Sequence, residues 1–254
     1  MIYFKNKKSL DTFLMVFILG AVKAYRRNYI DLTILEYYIF SMSIRLMCRK
    51  VHLSAKLLNI IGDGMSLEDV DEWMARRIPI PALNDTLDDI ECSSWIALIE
   101  RELEGNTLSE ALKISTHDEK KFGIYFFTDY VEEIFWALFL LGLYEVLQKP
   151  EFISESIISC IKQSYLSEIY TCERIQDEDL QACISNLQEI ADTNISGQLS
   201  KDLITMKAKL ASLQVLLPFY GMSSDKLETG IDLKATKGMF WQIKVSGKFI
   251  DLGL

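Results

Sequence analysis

Two apolar runs, residues 13–22 and 134–144, restrict this chain more than anything else in it. Each is about ten residues long, roughly half of the 20 or so that a helix needs to cross the hydrocarbon of a bilayer. A helix that is apolar nearly all round has no face to offer water, so both runs have to be enclosed by the rest of the chain. The first run has no small-residue cleavage site and continues into Lys23-Ala24-Tyr25-Arg26-Arg27, which is not the pattern of a secretory signal. No membrane association is expected, and the expected location is cytoplasmic.

Helices suit what surrounds these runs. The 254 residues include four prolines and twelve glycines, too few turn-formers for a strand-rich sandwich. Half of the chain is hydrophobic and a quarter charged, as in a folded protein with a substantial core.

Ser9 is a plausible N-cap for a first helix with Leu10, Phe13, Leu14, Phe17, Ile18, Ala21 and Val22 on a broad apolar face. Residues 1–8, with Ile2, Tyr3 and Phe4 ahead of a basic cluster, precede it as a short extended lead-in. Asp31 suits a second cap, a helical pattern restarts at Ser41, and Ser54 opens a short helix ending at the Gly62-Asp63-Gly64 turn. Ser66 with Asp69 resembles a capping box for the next helix, broken by Ile78-Pro79-Ile80-Pro81. Asn84 or Asp85 then caps a longer helix through Leu87, Ile90, Trp95, Leu98, Ile99 and Leu103, closed by Gly105. Thr107 with Glu110 marks a brief helix to about Ser115.

The polar interval 116–121 is a soft boundary. Residues 122–127 are aromatic enough for a strand, with a helical reading close behind. Thr128 or Asp129 starts the second very apolar helix, and three more are expected at about 153–171, 178–192 and 199–217. Near the end, Trp241, Ile243 and Val245 alternate with polar residues, Ser246-Gly247 offers a two-residue turn, and apolar positions return. In that register Trp241 faces Leu252 and Ile243 faces Ile250. The expected fold class is therefore mainly α: a helical bundle in two packed halves, 1–115 and 122–254, with a short C-terminal β-hairpin.

Candidate chemistry is sparse. A formal net charge of -9 argues against a nucleic-acid partner and favours steering of a basic protein. Arg26, Arg27, Arg45, Arg49, Lys50, Arg76 and Arg77 are the basic positions a nucleic-acid surface would have to gather, but their helix-end positions supply an adequate structural reason and the overall charge is against that surface. Five cysteines without a CxxC pair, and two distant histidines, imply reduced thiols and no metal centre. No phosphate loop, dinucleotide fingerprint or nucleophile elbow occurs, so no cofactor is expected. Cys48 and His52 are four residues apart and would share a helical face, the one arrangement that suggests a nucleophile. Carboxylate pairs such as Asp88 with Asp89 and Glu132 with Glu133 suit helix first turns.

The densest negative charge lies at 66–73. Once capping accounts for Asp69, Glu68, Asp71, Glu72 and Trp73 remain as an acidic, aromatic lip between a glycine turn and a proline linker. Such a lip offers carboxylates to a basic cleft and an indole as a buried anchor. At 199–217, Leu203, Met206, Leu210, Leu213 and Leu217 recur at alternating three and four spacing, a seam that packs within a bundle or pairs two copies in a homodimer.

Leu19-Gly20, Lys23-Ala24, Ile39-Phe40-Ser41, Leu57-Leu58, Ile60-Ile61, Gly64 and Leu67-Glu68-Asp69-Val70 occur in an order that resembles a small bacterial domain-of-unknown-function family, over about 9–91. That resemblance implies a small helical protein and no catalytic residue. As a whole the chain also looks like an immunity protein of a polymorphic toxin system. The class-level likeness implies a non-enzymatic protein that neutralises a basic toxin domain by occluding its active site. An enzyme with its site between the two halves, and a dimeric regulatory or scaffold module, are the competing expectations.

Overall fold

An apolar helix must be enclosed, and the fold encloses two of them by laying one against the other. The computed structural model describes residues 1–67, 81–105, 108–115, 122–149, 152 and 239–253. In chain order the elements are β1 (Ile2–Phe4), α1 (Lys7–Arg26), α2 (Leu32–Tyr38), α3 (Met42–Lys50), α4 (Ala55–Gly64), α5 (Pro81–Leu103), α6 (Leu108–Leu112), β2 (Ile114–Ser115), β3 (Phe122–Phe126), α7 (Asp129–Leu147), β4 (Trp241–Val245) and β5 (Lys248–Phe249). The protein is mainly α, with one small antiparallel sheet. Among the described residues no helix is long and apolar enough to cross a membrane.

Helices α1 and α7 carry the two apolar runs, and each run is buried from end to end. They cross at two glycines. A Cβ on Gly20 would overlap the Leu138 carbonyl, and one on Gly142 would overlap the carbonyl of Val16. Backbone therefore meets backbone, which no other residue type allows. Beside this crossing Phe13 stacks on Phe139 at 4.0 Å and Phe17 on Phe135 at 4.2 Å between ring centroids. The pairing runs backwards along α7, so the two helices are antiparallel.

The sheet, in the order β2-β1-β3-β4-β5, covers this pair. Its inner face brings Phe4 to Phe13, Phe126 to Phe135, and Trp241 to Phe135. The Trp241 indole donates to the Tyr38 carbonyl at 2.7 Å, and the Tyr38 hydroxyl to the Val131 carbonyl, so the sheet, α2 and α7 are tied by hydrogen bonds in apolar surroundings. Strands and helices from either side of 116–121 pack on each other, β1 on β3 and α1 on α7. The interval 116–121 itself, and the helices expected at 153–171, 178–192 and 199–217, lie outside the described residues.

Several sequence expectations hold in detail. Asp31, Ser41, Ser54 and Thr128 each accept a backbone N–H three residues on, as N-caps do. The hairpin pairs Val245 with Lys248 and Lys244 with Phe249, the expected register, through a turn with positive φ at Ser246 and Gly247. The hairpin is the edge of a five-stranded sheet because β4 also pairs along β3.

Others need correction. The first cap is Asn6, not Ser9: Asn6 Oδ1 accepts from the Ser9 N–H at 2.9 Å, and Ser9 is already inside the helix. Helix α4 does not stop before Gly62 but continues to Gly64. Those glycines are there for room, since a Cβ on Gly64 would overlap the Phe40 ring and one on Gly62 would crowd the Arg45 guanidinium. Helix α5 starts at Pro81, so Asn84 and Asp85 are residues of its first turns rather than caps. Helix α6 ends at Leu112, and Ile114–Ser115 pair with β1 as a strand.

Gly142→Ala places a methyl against the backbone of α1 that neither helix can yield by rotating a side chain. The expected loss is about 3 kcal/mol, at the upper end of overpacking costs. It is read as a lower urea midpoint with unchanged slope.

Candidate functional site

A cleft of about 480 Å³ opens where the first turns of α1 meet the corner between α3 and α4 and the last turns of α5. Its floor is an ion pair. Asp11 sits on the apolar helix α1 with its side chain 3% exposed, and Arg101 of α5 reaches in to meet Oδ2. The other carboxylate oxygen accepts the Ser54 N–H at 3.0 Å. The guanidinium also donates to the Lys8 carbonyl, to Thr12 Oγ1 at 2.9 Å and to Ser54 Oγ at 3.2 Å. Burial draws the Arg101 pKa down, and Glu104 offsets part of this. Both terminal nitrogens are engaged by protein groups, so the arrangement is a clamp joining α1, α4 and α5 rather than a vacant anion site. At the rim Lys56 pairs with Glu100.

His52 lines this cleft but does not pair with Cys48. Helix α3 ends at Lys50, and His52 follows with φ 59°, its N–H bonded to the Arg49 carbonyl while Leu53 N–H bonds to that of Cys48. That is a Schellman ending, which puts the imidazole beyond the helical face that carries the thiol. Cys48 is fully buried, and desolvation pushes its thiol up to about 12, so it carries no thiolate at neutral pH.

Arg76 and Arg77 lie outside the described residues, and the other basic positions named from sequence mostly have partners of their own. Arg26 pairs with Asp88 and Glu91 of α5, Lys23 and Arg27 with Glu145 of α7, and Arg45 donates to the Leu58 carbonyl. Lys50 donates to the Asp251 carbonyl. Glu132 accepts from the Trp136 indole in the first turns of α7.

Glu68, Asp71, Glu72 and Trp73, the residues expected to contact a partner, lie outside the described residues, as do Leu203, Met206, Leu210, Leu213 and Leu217. Leu67, just before the first four, is fully buried, and α5 begins after them at Pro81.

Helix α5 has two faces. Leu87, Ile90, Ser94, Ala97 and Leu98 are buried. On the opposite side of a 3.6-residue helix, Asp85, Asp89, Cys92, Ile96, Ile99 and Leu103 form one exposed stripe. Ile99 and Leu103, apolar positions of the expected helix, are 43% and 83% exposed, and Ile96 is 50% exposed.

Residues 5–111 match a family described as a protein of unknown function (DUF3969). The matched segment holds α1 through α5, and with them the Asp11–Arg101 clamp, His52 and the two-faced helix. Helix α7 and strands β3, β4 and β5 fall outside it. No curated protein and no solved structure matches the chain.

Asp11→Ala strands Arg101 among partly buried groups and is expected to cost about 3 kcal/mol, against less than about 0.5 kcal/mol for Lys56→Ala at the rim. Urea denaturation of the two variants checks the contrast. The thiol supplies a pH test. Above about 9 the unfolded chain releases the Cys48 proton while the folded protein holds it to about 12, so this group lowers stability as pH rises through that window. Cys48→Ala flattens that part of the stability profile.

Proposed function

We propose that the protein acts by binding a basic protein partner rather than by turning over a substrate, and that it neutralises that partner as a cytoplasmic immunity protein does, by covering its active site. The observation that carries this reading is a run of carboxylates on one stretch of chain. Glu68, Asp71 and Glu72 are followed, after the proline linker, by Asp85, Asp88 and Asp89 on the exposed side of the first turns of α5. With a net charge of -9, this stretch presents negative potential to a cationic surface and speeds encounter with it. Trp73 beside the carboxylates supplies an anchor of the kind that dominates interface energies. The clamp around Arg101 has its terminal nitrogens satisfied internally, which supports placing recognition on the acidic stretch instead.

Co-purification with the product of the neighbouring gene is the direct test. Charge reversal at Glu68, Asp71, Asp85 and Asp89 is expected to weaken binding by at least about tenfold, mostly through slower association, and to flatten its salt dependence. Loss of toxicity protection on expression of the reversed variant follows from the same cause. A protein that neither binds nor protects against its neighbour refutes the proposal.

A further inference from the structure

Helix α5 is apolar on two sides, and only one of them is packed. Leu87, Ile90, Ala97 and Leu98 are buried, whereas Ile96, Ile99 and Leu103 stand exposed in one line on the other side. Among the described residues the other large apolar side chains so exposed are Met42 and Phe249, each on a different element. Singly exposed apolar residues are ordinary, but a row of them on one helix marks an interaction surface. We infer that this stripe pairs with the same stripe of a second copy of the chain, the two α5 helices running antiparallel about a two-fold axis between positions 97 and 98.

Three features select that occupant. First, the stripe is self-complementary. Cys92, Ile96, Ile99 and Leu103 are separated by four, three and four residues, a spacing that reads the same in both directions. An antiparallel copy therefore sets Ile96 against Ile99 and Cys92 against Leu103, twice over, as an isologous interface requires. Second, the flanks admit it. Across that axis Ser93 and Trp95 come beside Glu100 and Glu102 of the other copy, so these flanks bring no like charges together. Third, the change from carboxylate to aliphatic along the stripe fixes the direction. A parallel pair would lay Asp85 and Asp89 against their own counterparts. The antiparallel pair sends them to opposite ends, with the two copies of Asp89 about 25 Å apart along the helices, well beyond the screening length at physiological salt. A basic partner finds no carboxylate in the aliphatic half of the stripe, and the acidic half of each copy stays open to it. The seam is distinct from the leucines of 203–217 and needs no contribution from them.

Light scattering and sedimentation of the full-length protein test the pairing. The expected result is a monomer–dimer equilibrium that Ile96→Asp with Ile99→Asp weakens by at least about hundredfold, while the near-ultraviolet signal of the aromatic core is unchanged. A chain that stays monomeric at about 0.1 mM overturns the inference. So does a dimer that the two aspartates leave intact, which assigns association to another surface. Leu103→Cys, at an exposed position, tests the direction, and it decides the matter should the aspartate variant not fold. Under mild oxidation with diamide the introduced thiol bonds to Cys92 of the other copy, giving a covalent dimer whose linked peptides are identified by mass spectrometry. Within one chain the two positions are about 16 Å apart along the helix, too far for a disulfide. Links joining Cys92 to Cys92 and the introduced thiol to its own counterpart mean a parallel pair and overturn the inference, as does the absence of any link.

Discussion

Everything in this fold is arranged around the contact between the backbones of α1 and α7 at Gly20 and Gly142. Helix pairs are ordinarily held 8–10 Å apart by their side chains. Here the missing side chains bring the axes together, and the phenylalanines on either side can stack ring on ring. Two helices that are apolar all round still expose their outer flanks, so the remaining elements serve as walls. The sheet covers one flank through Phe4, Phe126 and Trp241, α2 closes in through Tyr38, and α5 lies along α1.

How much of this was legible in the sequence depended on how local the cause was. Asp31, Ser41, Ser54 and Thr128 announce helix starts because a cap acts over three residues, and the hairpin register follows from alternation across a two-residue turn. Asn6 and Ser9 are both competent caps, and nothing local ranks them. Gly62 and Gly64 look like a turn because glycine serves turns and close packing equally; only the Arg45 guanidinium beside the first and the Phe40 ring beside the second decide between the two roles. Strands of three to five residues such as β1 and β3 are too short to establish a period, and their pairing joins segments far apart in the chain.

The site shows the same division. Asp11 and Arg101 are 90 positions apart, yet a signal existed in the single carboxylate set within the apolar pattern of α1, since a buried carboxylate requires a cation. The second face of α5 is hidden in a linear reading, where its apolar residues follow one another, whereas their angular positions divide them. That helix thus has a structural side, fixed by Arg101, and an outward side whose character changes from carboxylate to aliphatic along its length.

The Trp241 indole reaches the Tyr38 carbonyl across 203 residues of chain, and Lys50 reaches Asp251 across 201. Contacts of such separation must meet the entropy of closing a very long loop before they stabilise anything, which makes folding slow for the protein's size. During synthesis α1 emerges long before α7, and β4 later still, so an apolar helix waits without its mate. For that interval the nascent chain presents the kind of surface that chaperones recognise, and its yield in a cell depends on their supply as much as on the stability of the finished fold.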